Sequence, residues 1–476
     1  MGQEISKSQF CEADFIEFRQ RLQHETQMLL QWHRENRFCA GPLTGGLELE
    51  AWLVDQNADP SPLNQHFLKL ADHPLLSAEL AQYNVELNTS PHRLTGDALS
   101  RFETDLNQHW TYCQSIARKL DNKLLAIGTL PTLRENQLTL QYMSPSQRYQ
   151  ALNEQIFEQR RGQPIRLNIT GRESLRSEHQ DVMLESATTS LQIHLKVPPE
   201  QAVRYYNAAI ILSAPMVAVS ANSPLLFGRD LWCETRIPLF EQAVESGGYF
   251  AAAGGPLHRV SFGSGYARKS LVECFLENEQ HFPVLLPILF NPDENRVPHL
   301  QLHNGTIWRW NRPLIGYDDD GRPHIRIEHR VIPAGPSMTD NIANMALFFG
   351  LAYHYANLKE PPEYQLEFAQ SRDNFYNAAR QGLEQNIQWL DNRRLSIRDL
   401  LLDRLLPEAE LGLKALSFDE RDISHYLGII AARIESGQTG CQWQRSFIAQ
   451  HGRDMNALTH QYLHNQFSGR PVHTWD

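Results

Sequence analysis

At 476 residues, with 41% hydrophobic and 21% charged side chains, the chain has the make-up of an ordinary soluble globular protein and can bury a large core. A formal net charge of -11, with no compensating basic stripe, argues against a nucleic-acid partner. Cys11, Cys39, Cys113, Cys233, Cys274 and Cys441 form no close pair of the zinc-knuckle or redox type, so a reduced, cytoplasmic protein is expected.

The chain opens with a polar segment, Met1 to Phe10, that holds no hydrophobic signal core. Met1-Gly2-Gln3-Glu4-Ile5-Ser6 fits the loose N-myristoylation pattern, but no polybasic segment follows to give the second membrane signal that stable anchoring needs. Phe15, Phe18, Leu22 and Leu29 recur at helical spacing, predicting an amphipathic helix within residues 1–42 that leads into the core. Residues 43–340 mix period-two strands with helices, with turn chemistry at Asn88-Thr89-Ser90-Pro91 and Asp320-Gly321. Within them, Ala208 to Ala221 is the most apolar stretch. It is too short to span a bilayer and contains Pro215, so a buried helix that breaks at a turn is expected, with no membrane contact. From 341 to 476 the apolar period is helical again, as in Met345-Ala346-Leu347-Phe348-Phe349. An α+β catalytic domain over 43–340, carrying a helical C-terminal extension over 341–476, accounts for this order. Such a tail could also carry a homo-oligomer contact.

The chemistry lies in the faces of certain strands, because successive strand residues point to opposite sides. In Leu47-Glu48-Leu49-Glu50 the leucines share one face and the glutamates the other. Asn84, Glu86 and Asn88 oppose Val85 and Leu87 in the same way. Gln192, His194 and Lys196 share a face in the segment from Leu191 to Val197, as do Arg326, Glu328 and Arg330 in the segment from Ile325 to Val331. Any one such strand reads most simply as antiparallel with a solvated face. Together the residue types point elsewhere. Glutamate is somewhat depleted in strands, and Glu48 and Glu50, roughly 7 Å apart on one face, repel unless a cation lies between them. Glutamates with a histidine and arginines are the donor set for a hard divalent cation beside phosphate, Mg2+ or Mn2+ with ATP. This reading requires the strands to be neighbours.

The ordered series Gly45-Gly46-Leu47-Glu48-Leu49-Glu50, Val85-Glu86-Leu87-Asn88, Arg148-Tyr149, Gln192-Ile193-His194, Ala221-Asn222-Ser223-Pro224, Gly305-Thr306-Ile307-Trp308 and Glu328-His329-Arg330 resembles the glutamate–cysteine ligase type 2 family of carboxylate–amine ligases. The resemblance implies a glutamine synthetase-like catalytic fold: an antiparallel sheet, flanked by helices, whose polar face is the active site. It also implies Glu48 and Glu50 on different metals, with Glu86 beside Glu50, and His194 and Glu328 completing the set of Glu48. Arg330 and Arg236 are the expected catalytic residues, with Arg148 and Arg309 for substrate. Gln192, Lys196 and Arg326 are expected on the nucleotide. The stretch Trp308-Arg309-Trp310-Asn311-Arg312 is richer in aromatics than the family pattern and leaves the substrate open.

Other features carry less. Gly263-Ser264-Gly265-Tyr266-Ala267-Arg268-Lys269-Ser270 glances at a phosphate-binding loop, but Arg268 stands where the glycine before the lysine is needed. With Gly254-Gly255-Pro256 it reads as a connecting loop that could fold over a nucleotide. Asp318-Asp319-Asp320-Gly321 lacks the EF-hand glutamate and reads as a hairpin turn. His303 reads as structural, and Trp308 and Trp310 as packing residues or an adenine shelf. The expected activity is therefore ATP- and magnesium-dependent amide formation from a small-molecule carboxylate and amine, through an acyl phosphate. The alternatives are a guanidino or carboxylate kinase, or a nucleotide-binding relative without turnover, since fold analogy does not separate them.

Overall fold

The computed structural model describes residues 8–246, 249–250, 256–291 and 296–476. The N-myristoylation pattern and Gly254-Gly255 lie outside the described residues.

The alternating segments do become neighbours. A curled antiparallel sheet runs in the order Asn311–Tyr317, Pro323–Pro333, Ser190–Val197, Thr44–Val54, Asn84–Asn88, Leu76–Ala78. Its register sets Arg312 opposite Glu328, Glu328 opposite His194, Gln192 opposite Glu48, and Glu50 opposite Glu86. The ionisable faces of all four segments therefore merge into one surface.

The other face is apolar, with Leu47, Leu49, Val85, Leu87, Ile193, Leu195 and Ile327 all buried. Helix Met338–Ala356 presses on it. Phe348 stacks on His329, with ring centroids 4.2 Å apart. A Cβ at Gly45 would lie 2.6 Å from Phe349 Cζ, so only glycine admits the helix this close. The same helix meets Leu406–Ala415 backbone to backbone, since a Cβ on Gly412 would lie 1.9 Å from the Gly350 carbonyl oxygen. The first helix, Glu12–Arg34, buries Phe18, Leu22, Leu29 and Trp32. Acidic residues in its first turn and basic ones in its last suit the helix dipole.

The apolar stretch around Pro215 forms the helix Ala202–Ser220, which continues through the proline instead of breaking and ends at Ala221. Ser213 Oγ donates to the Ala209 carbonyl at 2.9 Å and Ser220 Oγ to that of Met216 at 2.6 Å, while tight burial supports the kink-prone turn. By length and composition this segment could cross a membrane, yet 89% of its apolar window is buried inside the protein.

Beyond that helix, Asn222 ties the C-terminal helices to the sheet. Its Nδ2 donates to the Ala334 carbonyl and to the Tyr462 hydroxyl, both at 2.8 Å, and Gln444 Nε2 donates to its Oδ1 at 3.0 Å.

Candidate active site

On the polar face the donors gather into two groups. Glu48, His194 and Glu328 each offer a ligand atom within 4.8 Å of the other two, and so do Glu50, Glu79 and Glu86. His194 Nε2 lies 3.1 Å from Glu48 Oε1 and 4.0 Å from Glu328 Oε1, yet neither ring nitrogen makes a hydrogen bond. Glu48 Oε2 and Glu79 Oε1 are also buried without a hydrogen-bond partner. Buried donors without a partner, gathered at one point, fit the coordination of a cation. Oxygen donors with one imidazole suit Mg2+ or Mn2+.

The electrostatics separate the groups. Burial pushes the Glu48 carboxyl up, but the neighbouring His194 ring outweighs it and holds the group at about 2. Glu328 is pushed up by burial and brought far down by Arg312 and Arg330. Burial raises Glu50 to about 7, with Arg330 opposing and Glu86 adding to the rise. Glu79 and Glu86 are raised as well, by burial and then by their acidic neighbours. Glu50, raised to about 7, must release its proton to bind a cation, and Glu79 and Glu86 are shifted in the same direction. Magnesium affinity at this group is therefore expected to rise between about pH 6 and pH 8, with proton release that calorimetry in buffers of different ionisation enthalpy measures. An affinity flat across that range would contradict the assignment.

Arg330 sits where the Glu328 strand bulges against the His194 strand, between His329 and Ile332. The bulge re-aims its side chain along the face. Its Nη1 lies 3.1 Å from Glu328 Oε2 and donates to Gln192 Oε1, while Gln192 Nε2 donates to Glu50 Oε1 at 2.7 Å. Gln192 thus bridges the Glu50 group and Arg330. Arg312, across the hairpin, grips Glu328 in a fork, with Nε–Oε2 2.7 Å and Nη2–Oε1 3.0 Å.

Two cavities open on this face. The larger, about 360 Å³, is lined by Glu48, His194, Arg312, Arg326 and Glu328, with apolar walls from Phe275, Phe290, Leu314 and Ile315. The smaller, about 50 Å³, is lined by Glu50, Glu79, Tyr149, Glu185, Thr306, Trp308 and Arg330. Arg148 lines both.

Several expected residues are used otherwise. Arg309 lines neither cavity. Trp308 faces the small one, so strand alternation turns Arg309 away, onto Glu277 at 2.5 Å and Asn278 Oδ1 at 2.6 Å. Lys196 is held by both carboxylate oxygens of Asp318, at 2.6 and 2.8 Å, and lines neither cavity. Arg236 stands behind the site. Its Nε meets Glu234 at 3.1 Å, its Nη2 donates to the Arg330 carbonyl at 3.0 Å, and its guanidinium lies 5.3 Å from the Trp310 ring. It supports the Arg330 backbone from behind.

The Asp318–Asp320 segment is a hairpin turn, with Gly321 at φ 82°. His303 is buried, and its Nε2 hydrogen-bonds to the Asn278 carbonyl. The amides of Arg268, Lys269 and Ser270 are taken by the Glu273 carboxylate at 3.0, 2.6 and 3.1 Å, so they form no phosphate cradle.

The glutamate–cysteine ligase family 2 (GCS2) profile matches residues 44–461. The chain belongs to that family. It is accordingly a ligase of the carboxylate–amine kind. Among solved structures it is similar to the Francisella tularensis glutamate–cysteine ligase in complex with AMP, at a TM-score of 0.51 and 10% identity, covering 91% of this chain and 90% of that one. It is also similar to a bifunctional glutathione synthetase from Pasteurella multocida, at a TM-score of 0.52 and 11% identity, covering 95% of this chain and 55% of that one. At such identities these likenesses speak for the fold alone, and they agree with the glutamine synthetase-like architecture. No curated protein matches the chain.

Proposed function

We propose that this ligase uses ATP and magnesium to activate a small carboxylate as an acyl phosphate and passes the acyl group to an amine, as a glutamate–cysteine type enzyme would. The observation that carries the reading is the pair of three-donor groups on one face beside Arg330, between two cavities that share Arg148. The AMP held by the Francisella tularensis ligase supports an adenine nucleotide in the larger cavity.

Magnesium or manganese would be held by Glu48, His194 and Glu328 and by Glu50, Glu79 and Glu86, and would supply charge neutralisation to phosphate oxygens. The chain's own residues do the rest. Phe275, Phe290, Leu314 and Ile315 form an apolar sleeve for the base, and Arg326, whose Nε lacks a hydrogen-bond partner, offers a donor to the nucleotide. Arg148, between the cavities, steers the substrate carboxylate towards the terminal phosphate. The carboxylate oxygen attacks the γ-phosphorus and ADP leaves. Arg330 stabilises the charge on the transferring phosphoryl group, as an arginine finger does. Its fork is fixed beforehand by Glu328 and Gln192, so little reorganisation accompanies transfer. The amine then attacks the acyl carbon, phosphate departs, and an amide remains.

Hydroxylamine in place of the amine tests the intermediate. Hydroxamate should accumulate in step with ADP, and ADP formation without hydroxamate for any accepted carboxylate would exclude an acyl phosphate.

A further inference from the structure

The strand that carries Arg330 leaves its ladder with the His194 strand at the bulge, so something other than that ladder must fix the backbone from which the guanidinium projects. Two bonds do so. The Arg330 amide donates to the Trp310 carbonyl at 2.9 Å, and the Arg330 carbonyl accepts from Arg236 Nη2 at 3.0 Å. Trp310 itself stands where two sheets meet. Trp308 and Arg309 before it pair with Val260 and Ser261, and Asn311 after it pairs with His329. Its own amide donates to the Ser261 carbonyl at 3.0 Å.

One helix, Arg236–Ala243, grips the Trp310 indole at three points. The Arg236 guanidinium lies 5.3 Å from the ring centroid. Phe240, four residues on and therefore on the same helix face, meets the ring edge-on at 5.9 Å. Glu241 Oε1 accepts from the indole Nε1 at 2.8 Å and from the Tyr376 hydroxyl at 2.6 Å, which ties in the helix Phe368–Gln381 as well. Trp310 is 1% exposed and lines neither cavity. Packing alone would be satisfied by any flat apolar ring. It does not call for an acid on the ring N–H, nor for that ring to lie against the arginine that holds the Arg330 carbonyl. A carboxylate bonded to Nε1 fixes the rotation of the indole, and with it the wall on which Arg236 rests.

We propose that Trp310, held by Glu241, is a positioning residue for Arg330. It secures the Arg330 amide directly and the Arg330 carbonyl through Arg236, and so sets where the guanidinium stands on the active face. The inference rests on the reading of Arg330 as the group that faces the transferring phosphoryl. Displacing such a group by about 1 Å costs tenfold to about a hundredfold.

Calorimetric titration of the full-length protein with ADP and magnesium, with and without aluminium fluoride, tests this without needing the carboxylate substrate. The fluoride complex imitates the planar phosphoryl group, so wild type should bind ADP more tightly in its presence, and Arg330→Ala should lose that gain. Trp310→Phe, which keeps a ring over Arg236 but drops the Glu241 bond, should reduce the gain at least about tenfold, as should Glu241→Leu. Glu241→Gln, which still offers an acceptor, should keep most of it. Affinity for ADP alone should be unchanged in all of them. Combining Trp310→Phe with Arg330→Ala should lose no more than Arg330→Ala does, because the effect runs through that one guanidinium. A full gain in both Trp310→Phe and Glu241→Leu, or a further loss in the double variant, overturns the proposal. No gain in wild type removes Arg330 from phosphoryl transfer, and this inference falls with that reading. A gain without amide formation from any acid and amine leaves the inference standing and removes the ligase reading instead.

Discussion

Arg330→Ala should lower kcat at least about a hundredfold, the usual effect of removing a group that stabilises transition-state charge, while KM for ATP changes little. The fold should survive the change. Glu328 would keep its two-point grip from Arg312, so no buried carboxylate is left unpaired. The loss should instead fall on the chemical step, because Arg330 lies between Glu328 and the Gln192 bridge to Glu50. Arg330→Lys should recover only part of the rate, since a single ammonium keeps the charge but loses the planar fork. Steady-state phosphate release, with a melting curve for each variant, measures both effects. A wild-type kcat in Arg330→Ala would remove the residue from the mechanism.

Arg433→Ala should destabilise the protein by about 3–5 kcal/mol, because it leaves a buried acid without its counter-charge. Arg433 Nη2 lies 2.7 Å from Asp340 Oδ1, and Nη1 lies 2.6 Å from Asn344 Oδ1 and 3.2 Å from the Val219 carbonyl. Both members of the pair are fully buried. Three helices, Ala202–Ser220, Met338–Ala356 and Glu420–Ser436, meet at this one guanidinium. Replacing both partners by apolar residues, Arg433→Met with Asp340→Leu, should cost less than Arg433→Ala alone. Urea denaturation of both variants tests this, and a double variant less stable than the single one would contradict it.

Much of the polar face was legible because strand alternation is a strict period of two. Glu48 and Glu50 had to share a side with each other, and so did Glu328 and Arg330. What alternation does not contain is which strands are neighbours, and there the family resemblance stood in for the missing register. Arg312 was within reach of the sequence. Counting outward from Asp320 pairs residue 312 with residue 328, so its fork onto Glu328 follows once the recognised hairpin is centred on that residue. Glu79 is harder to find, because it follows a strand of three residues, Leu76–Ala78, too short to show a period. Glu185 sits on an isolated helical turn and gives no periodic signal at all.

The partners of several expected site residues were not legible for another reason. Lys196 and Arg309 have the charge a nucleotide or substrate site needs, but charge does not reveal a competing partner. Asp318 is 122 positions from Lys196 in sequence, and Glu277 and Asn278 lie on a helix that the alternating pattern says nothing about. The contact of Arg236 with the Arg330 carbonyl was not legible either, because that carbonyl is a backbone atom. Side-chain patterning is blind to such contacts.

The most direct test of the central claim is the product balance of the purified protein with magnesium, ATP, a panel of small carboxylates and a panel of amines. ADP, inorganic phosphate and amide are quantified together. The account predicts that they appear in equal amounts, that both acid and amine are required, and that a chelator abolishes all three. ADP together with a phosphorylated acceptor and no free phosphate would show a kinase instead, and no ATP consumption with any pair would contradict ligation by this face.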